Sequence, residues 1–167
     1  MAAGPTYEPI ATTTAGGSST NVTFNSISGS YTDLVLVIAN VTAQIDNVGI
    51  TLNSDTGSNY SRVIAQGNGS TKSSSKNNNQ TYLYTMYKDT AGGNPAMSIS
   101  QFLNYSNSTT YKTVLTRQET NSSGTKSVQV MLSVWRSTSA ITSISINSGN
   151  ANFNSGATFT LYGIAAA

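Results

Sequence analysis

The stretch Ser127-Val-Gln-Val-Met-Leu-Ser-Val-Trp135 decides the fold. Its apolar residues recur at every second position, so Val128, Val130, Leu132 and Val134 share one face. A period of two belongs to an extended strand, not to a helix. The same rhythm continues on either side. Toward the N-terminus, Tyr111–Arg117 and Ala96–Tyr105 flank the loop 106–110 and read as a hairpin with a longer connection. Gln80–Tyr87 is a strand with Tyr82, Tyr84 and Met86 on one face and Leu83, Thr85 and Tyr87 on the other. Tyr60–Ala65, Val48–Leu52 and Thr20–Ile27 follow, the last with Val22 and Phe24 together. Asp33–Val41 is a continuous apolar burst, as expected of a strand buried on both faces. Toward the C-terminus, Ile141–Ile146 and Ala157–Ile164 complete about ten strands. Turns are expected at 28–30, 53–57, 91–95 and 121–124.

No window of a dozen residues carries a 3.6-residue period. The sequence therefore predicts an all-β chain, an antiparallel β-sandwich of jelly-roll-like form. Two segments stand apart from the rhythm. Residues 67–79 hold no apolar side chain and read as a solvated surface loop, or alternatively as a contact loop for a partner. Residues 1–17 include Pro5 and Pro9, which lack amide donors, and suit an extended N-terminal arm or an edge strand. Residues 18–167 then form a single β-sandwich domain.

Composition narrows the function. Charged residues make up 8% of the 167-residue chain, against about a quarter in an ordinary domain. Ser and Thr supply 50 residues and Asn another 18. Without Cys there is no disulfide framework and no thiolate; without His there is no imidazole base and no Ser-His triad. The longest apolar run, Leu34–Ala39, is far too short for a membrane helix, and Met1-Ala-Ala-Gly-Pro5 has no secretory pattern. The eight basic residues are scattered, with no basic face for nucleic acid. These features predict a protein that is not an enzyme, needs no cofactor, and binds neither membrane nor nucleic acid.

The candidate sites are few. Glu8, Asp33, Asp46, Asp55, Asp89 and Glu119 are the whole acid inventory, and most lie beside turns rather than as a catalytic pair. Asn53, Asp55 and Asn59 alternate as calcium ligands do, but no closing Glu follows, so a turn is the better reading. The Lys-Ser pairs at 72–73 and 126–127 sit in polar surroundings that do not desolvate a lysine. The Asn-X-Ser/Thr sequons follow from composition. The tyrosines are more informative, because such rings suit sheet cores, subunit interfaces and sugar platforms alike. Tyr82 and Tyr84 are candidates for an oligomer face, and Tyr82, Tyr84 or Trp135 for a carbohydrate platform.

Three segments carry a resemblance. Tyr7-Glu-Pro-Ile-Ala-Thr-Thr-Thr14, Ile27-Ser-Gly-Ser-Tyr-Thr-Asp-Leu-Val-Leu-Val37 and Phe153-Asn-Ser-Gly-Ala-Thr-Phe-Thr-Leu-Tyr-Gly-Ile164 resemble virion structural proteins of tailed bacteriophages. Asn53-Ser-Asp-Thr-Gly-Ser-Asn-Tyr60 is similar to a loop in the same group. The most specific element is the terminal Phe-Thr-Leu-Tyr-Gly-Ile strand. The resemblance implies a virion location. The role expected there is a capsid decoration (cement) protein, a homo-oligomer and specifically a trimer, bound to the major capsid protein on the outside of the head. The contact arm would run over residues 6–14, with Tyr7, Pro9 and Ile10 as its interface residues. The alternative is a tail component, a fibre head or receptor-binding tip that recognises host surface glycan.

Overall fold

The computed structural model describes residues 6–42, 45, 47–87, 95–122 and 125–165. Within them lie twelve strands and no helix. They are β1 (Tyr7–Thr14), β2 (Asn21–Phe24), β3 (Asp33–Val41), β4 (Asn47–Leu52), β5 (Tyr60–Gly67), β6 (Lys72–Gln80), β7 (Leu83–Tyr87), β8 (Ala96–Leu103), β9 (Lys112–Ser122), β10 (Thr125–Trp135), β11 (Ile144–Asn147) and β12 (Thr158–Ile164). The expected turns over 91–95 and 121–124 fall largely outside the described residues.

Two antiparallel sheets face each other in a β-sandwich. The larger runs β1-β12-β3-β8-β9-β10-β5-β6 and the smaller β2-β11-β4-β7. Alternation accounts for the seam between them. Leu34, Leu36 and Ile38 of β3, Phe159 and Leu161 of β12, and Phe102 of β8 point inward from the large sheet. Val22, Phe24, Ile144, Ile146, Val48, Ile50 and Leu52 meet them from the small one. The burst in β3 is buried on its inner face, while on its outer face Val35 is buried and Val37 only half-buried. Tyr7–Thr14 is an edge strand, paired with β12 and broken by a bulge at Ile10, which packs against the core with Ala11.

Residues 67–79 are not a loop. Lys72–Gln80 is the edge strand β6, paired with β5 across a tight turn at 68–71. Asn68 holds that turn by accepting from the N–H groups of Ser70 and Thr71 at 3.0 and 2.7 Å, and Gly69 takes φ +87°. The strand carries no apolar side chain because both its faces are largely solvated; backbone pairing holds it, with Arg136 Nη2 donating to Asn79 Oδ1 at 2.9 Å near its end.

Strand β7 does not keep a simple alternation. Its pairing with β4 shifts between Val48 and Gly49, a β-bulge that opposes Val48 to Met86 and Gly49 to Tyr84. Adjacent residues Thr85 and Met86 are consequently both buried. Met86 therefore joins the core and does not share a face with Tyr82 and Tyr84. Thr85 turns toward the large sheet, where its hydroxyl meets those of Ser98 and Ser100 at 3.1 and 2.8 Å.

Candidate functional site

The two outer faces of the sandwich differ in kind. On the small sheet the inward residues are apolar apart from Thr85, and the outward ones over β2, β11 and β4 are neutral and polar. Pairing sets Thr23, Ser145 and Thr51 in one row and Asn21, Asn147 and Gly49 in the next. Thr23 and Ser145 hydroxyls bond at 2.9 Å, and Asn147 Oδ1 accepts from the Gly149 N–H at 2.6 Å. Above these rows opens a cleft of about 510 Å³, walled by Asn, Ser, Thr and Gly residues and one aromatic ring, Tyr82. Gly49 makes room for that ring. A Cβ at position 49 would lie 2.6 Å from Tyr82 Cδ2, so no larger residue fits beneath it.

The Tyr82 ring meets Tyr84 edge to face at 5.1 Å, with the two hydroxyls 3.3 Å apart. Behind them, the Arg62 guanidinium stacks 3.5 Å from the Tyr84 centroid. Arg62 is 93% buried, and its Nε and Nη1 find no hydrogen-bond partner among the described residues. Burial pushes the Tyr82 phenol up to about 12, reinforced by Tyr84 and opposed by Arg62. Tyr82 is thus a neutral ring at the cleft, while Tyr84 is held between it and Arg62.

On the large sheet the outer face is apolar over much of its width. The row that crosses it runs Val63, Leu132, Leu115, Gln101, Val35 and Tyr162, one residue from each neighbouring strand. The apolar set of β10 faces this way: Val128, Val130 and Leu132 are 69, 46 and 51% exposed. Inward, the same strand places Gln129, Met131, Ser133 and Trp135. Gln129 donates to Gln66 at 2.8 Å and accepts from Gln118, and Ser100 pairs with Thr116 at 2.9 Å, while the buried Ser133 Oγ has no hydrogen-bond partner among the described residues. Toward β1 the outer face dips into a groove of about 360 Å³ between Tyr7, Val37, Ile99, Arg117 and Tyr162. Tyr7 packs edge to face on Tyr162 at 6.4 Å and remains exposed; Pro9 is exposed beside it.

Trp135 cannot serve as a carbohydrate platform. It is 2% exposed, stacks on Tyr60, and donates its indole N–H to Asp55 Oδ2 at 2.7 Å. The Asp55 carboxylate also accepts from Asn59 and from the Gly57 N–H at 2.8 Å. Burial pushes this carboxyl up, but the three N–H donors outweigh it and hold it below the ordinary value. Asn53 turns away, accepting from the Thr142 and Ser143 N–H groups. The acidic loop is therefore a hydrogen-bonded turn. Among the described residues no three acidic side chains converge as metal ligands do.

No protein-family model matches the sequence, and no curated protein matches it either. Two solved structures are similar in outline. An exo-inulinase from Aspergillus awamori superposes with a TM-score of 0.44 at 10% identity over 95% of this chain, which spans 29% of the inulinase. The galectin LEC-6 of Caenorhabditis elegans gives a TM-score of 0.36 at 10% identity over 93% of this chain and 96% of its own.

Proposed function

We propose that this chain is a capsid decoration protein of a tailed bacteriophage, a homotrimer that stabilises the head lattice from outside. The observation that supports an assembly role is the apolar outer face of the large sheet. Val63, Val128, Val130 and Leu132 are each 46–69% exposed on it, and clustered exposed apolar side chains mark interaction sites. Fully burying one Val or Leu side chain is worth roughly 1.5–3 kcal/mol. The face has few charged residues: Arg117 and Glu119 on β9 are opposite in sign, and Lys72 and Lys76 lie at its β6 edge. We assign it to the contact between copies. The exposed Tyr7 and Pro9 on the β1 edge are the residues we assign to the major capsid protein. A weak contact per subunit suffices, because a symmetric oligomer on a symmetric lattice multiplies it.

Sedimentation equilibrium of the purified chain tests this reading. The expected result is a trimer that the pair Val130→Ser and Leu132→Ser converts to monomer. A wild-type chain that stays monomeric at its solubility limit contradicts it. The tail alternative rests on a different feature, the neutral cleft on the opposite face.

A further inference from the structure

We infer that the cleft over the small sheet is a binding site for a neutral saccharide, seated with one ring face on Tyr82. The inference goes beyond the assembly role and holds for a head or a tail protein, because cleft and apolar face lie on opposite sides of the sandwich.

The chemistry of the walls selects the ligand. A cleft of about 510 Å³ lies within the range of small-molecule sites, about 300–1,000 Å³. Its described lining has neither an aliphatic side chain nor a charged one. An apolar ligand or a hydrophobic peptide would leave the amides and hydroxyls without partners on desolvation. An ionic ligand would find no countercharge among those walls. A sugar meets both demands: its hydroxyls exchange hydrogen bonds with neutral groups, and the C–H face of its ring covers an aromatic one.

Three details define the wall. Asn47 Oδ1 is buried there with no hydrogen-bond donor among the described residues, an acceptor the fold leaves unsatisfied. Asn147 is oriented by the bond from Gly149 to its Oδ1, which leaves its NH₂ to donate. The Thr23–Ser145 pair fixes the hydroxyl row beside it. Tyr82 is preorganised by Gly49 below and Tyr84 at its edge, so little ordering entropy is lost when a ring stacks on it.

The test is a glycan array probed with the purified full chain, followed by calorimetric titration of the strongest neutral oligosaccharide retained. The expected outcome is retention of neutral hexose-containing glycans, with no preference for sialylated or sulfated ones. Tyr82→Ala should weaken binding by about tenfold or more, the scale of one aromatic contact. Tyr82→Phe keeps the ring and should bind within about threefold of wild type. In the titration the Val130→Ser, Leu132→Ser pair should keep the wild-type affinity per site, which separates this site from the assembly face, although a monomer loses avidity on the array. If Tyr82→Ala lowers the melting temperature, Asn21→Trp on the exposed rim replaces it and should block the cleft. Retention of no glycan, retention of anionic glycans alone, or full binding by a folded Tyr82→Ala or Asn21→Trp protein overturns the inference.

Discussion

At the scale of single residues, Asp55 shows how an acid can be used without catalysis. Its carboxylate gathers the indole of Trp135, the amide of Asn59 and the backbone of Gly57, joining the 53–59 turn to the end of β10. Tyr60 adds a second link, donating to the Asp55 carbonyl at 2.8 Å while accepting from the Leu52 N–H. Removing the carboxylate leaves a buried indole donor unpaired. Asp55→Ala should therefore cost about 2 kcal/mol, read by urea unfolding with the single Trp as the fluorophore. The pH dependence has a definite sign. The folded carboxyl titrates below the ordinary 3.8, so its stabilisation is complete above that value and fades as pH falls through the lower folded one. The melting-temperature gap between wild type and Asp55→Asn should be constant near neutrality and shrink below about pH 3.8; a gap that persists undiminished into stronger acid contradicts this. The turn itself was legible, because Asn, Asp and Gly crowd 53–59. Its partner Trp135 was not, since nothing local connects positions 80 residues apart.

At the scale of elements, β6 and β10 show what periodicity can and cannot tell. Alternation identified β10 as a strand but does not say which face is covered. Here the aliphatic set faces out and the mixed set Gln129, Met131, Ser133 and Trp135 faces in, with Gln129 bonded to Gln118 and to the exposed Gln66. Strand β6 has no alternation at all, so hydrophobic pattern could not reveal it. The Asn68-Gly69 pair, a tight-turn signal directly after β5, was the available clue. The polarity of β6 has a use as well. It is an outer edge of the large sheet, next to the exposed Val63, and its Lys72 and Lys76 oppose pairing with foreign strands. Replacing both lysines with Val should produce concentration-dependent aggregation by light scattering where the wild type stays clear. Strand β7 differs from the expected Gln80–Tyr87 in two ways: it begins at Leu83, with Gln80 ending β6 and Tyr82 in the bend between them, and its alternation is broken. A bulge shifts side-chain phase by one residue, and it is set by the pairing with β4, not by the local sequence.

At the scale of the whole molecule, two sheets of unequal width give the sandwich two unlike surfaces. The wide sheet overhangs the narrow one and presents aliphatic side chains outward; the narrow sheet presents neutral polar groups and one tyrosine. The sandwich class was legible from strand spacing and the lack of helical period. Neither surface was, because each is assembled from strands distant in sequence: Val63, Leu115 and Leu132 in one case, Asn21, Gly49, Tyr82 and Asn147 in the other. The proposed assembly face makes a further demand. Val130→Ser and Leu132→Ser should each change monomer stability by no more than about 0.5 kcal/mol, since exposed positions carry little folding energy. Chemical denaturation of the dissociated variant checks this, and a large loss would mean the face belongs to the fold rather than to assembly.

The decoration role itself is tested most directly by counting. Quantitative mass spectrometry of purified virions, with this chain measured against the major capsid protein, should give a simple whole-number fraction of the capsid copies, as occupancy of repeated lattice sites requires. A handful of copies per virion, on the scale of a tail tip, contradicts a head-decorating function.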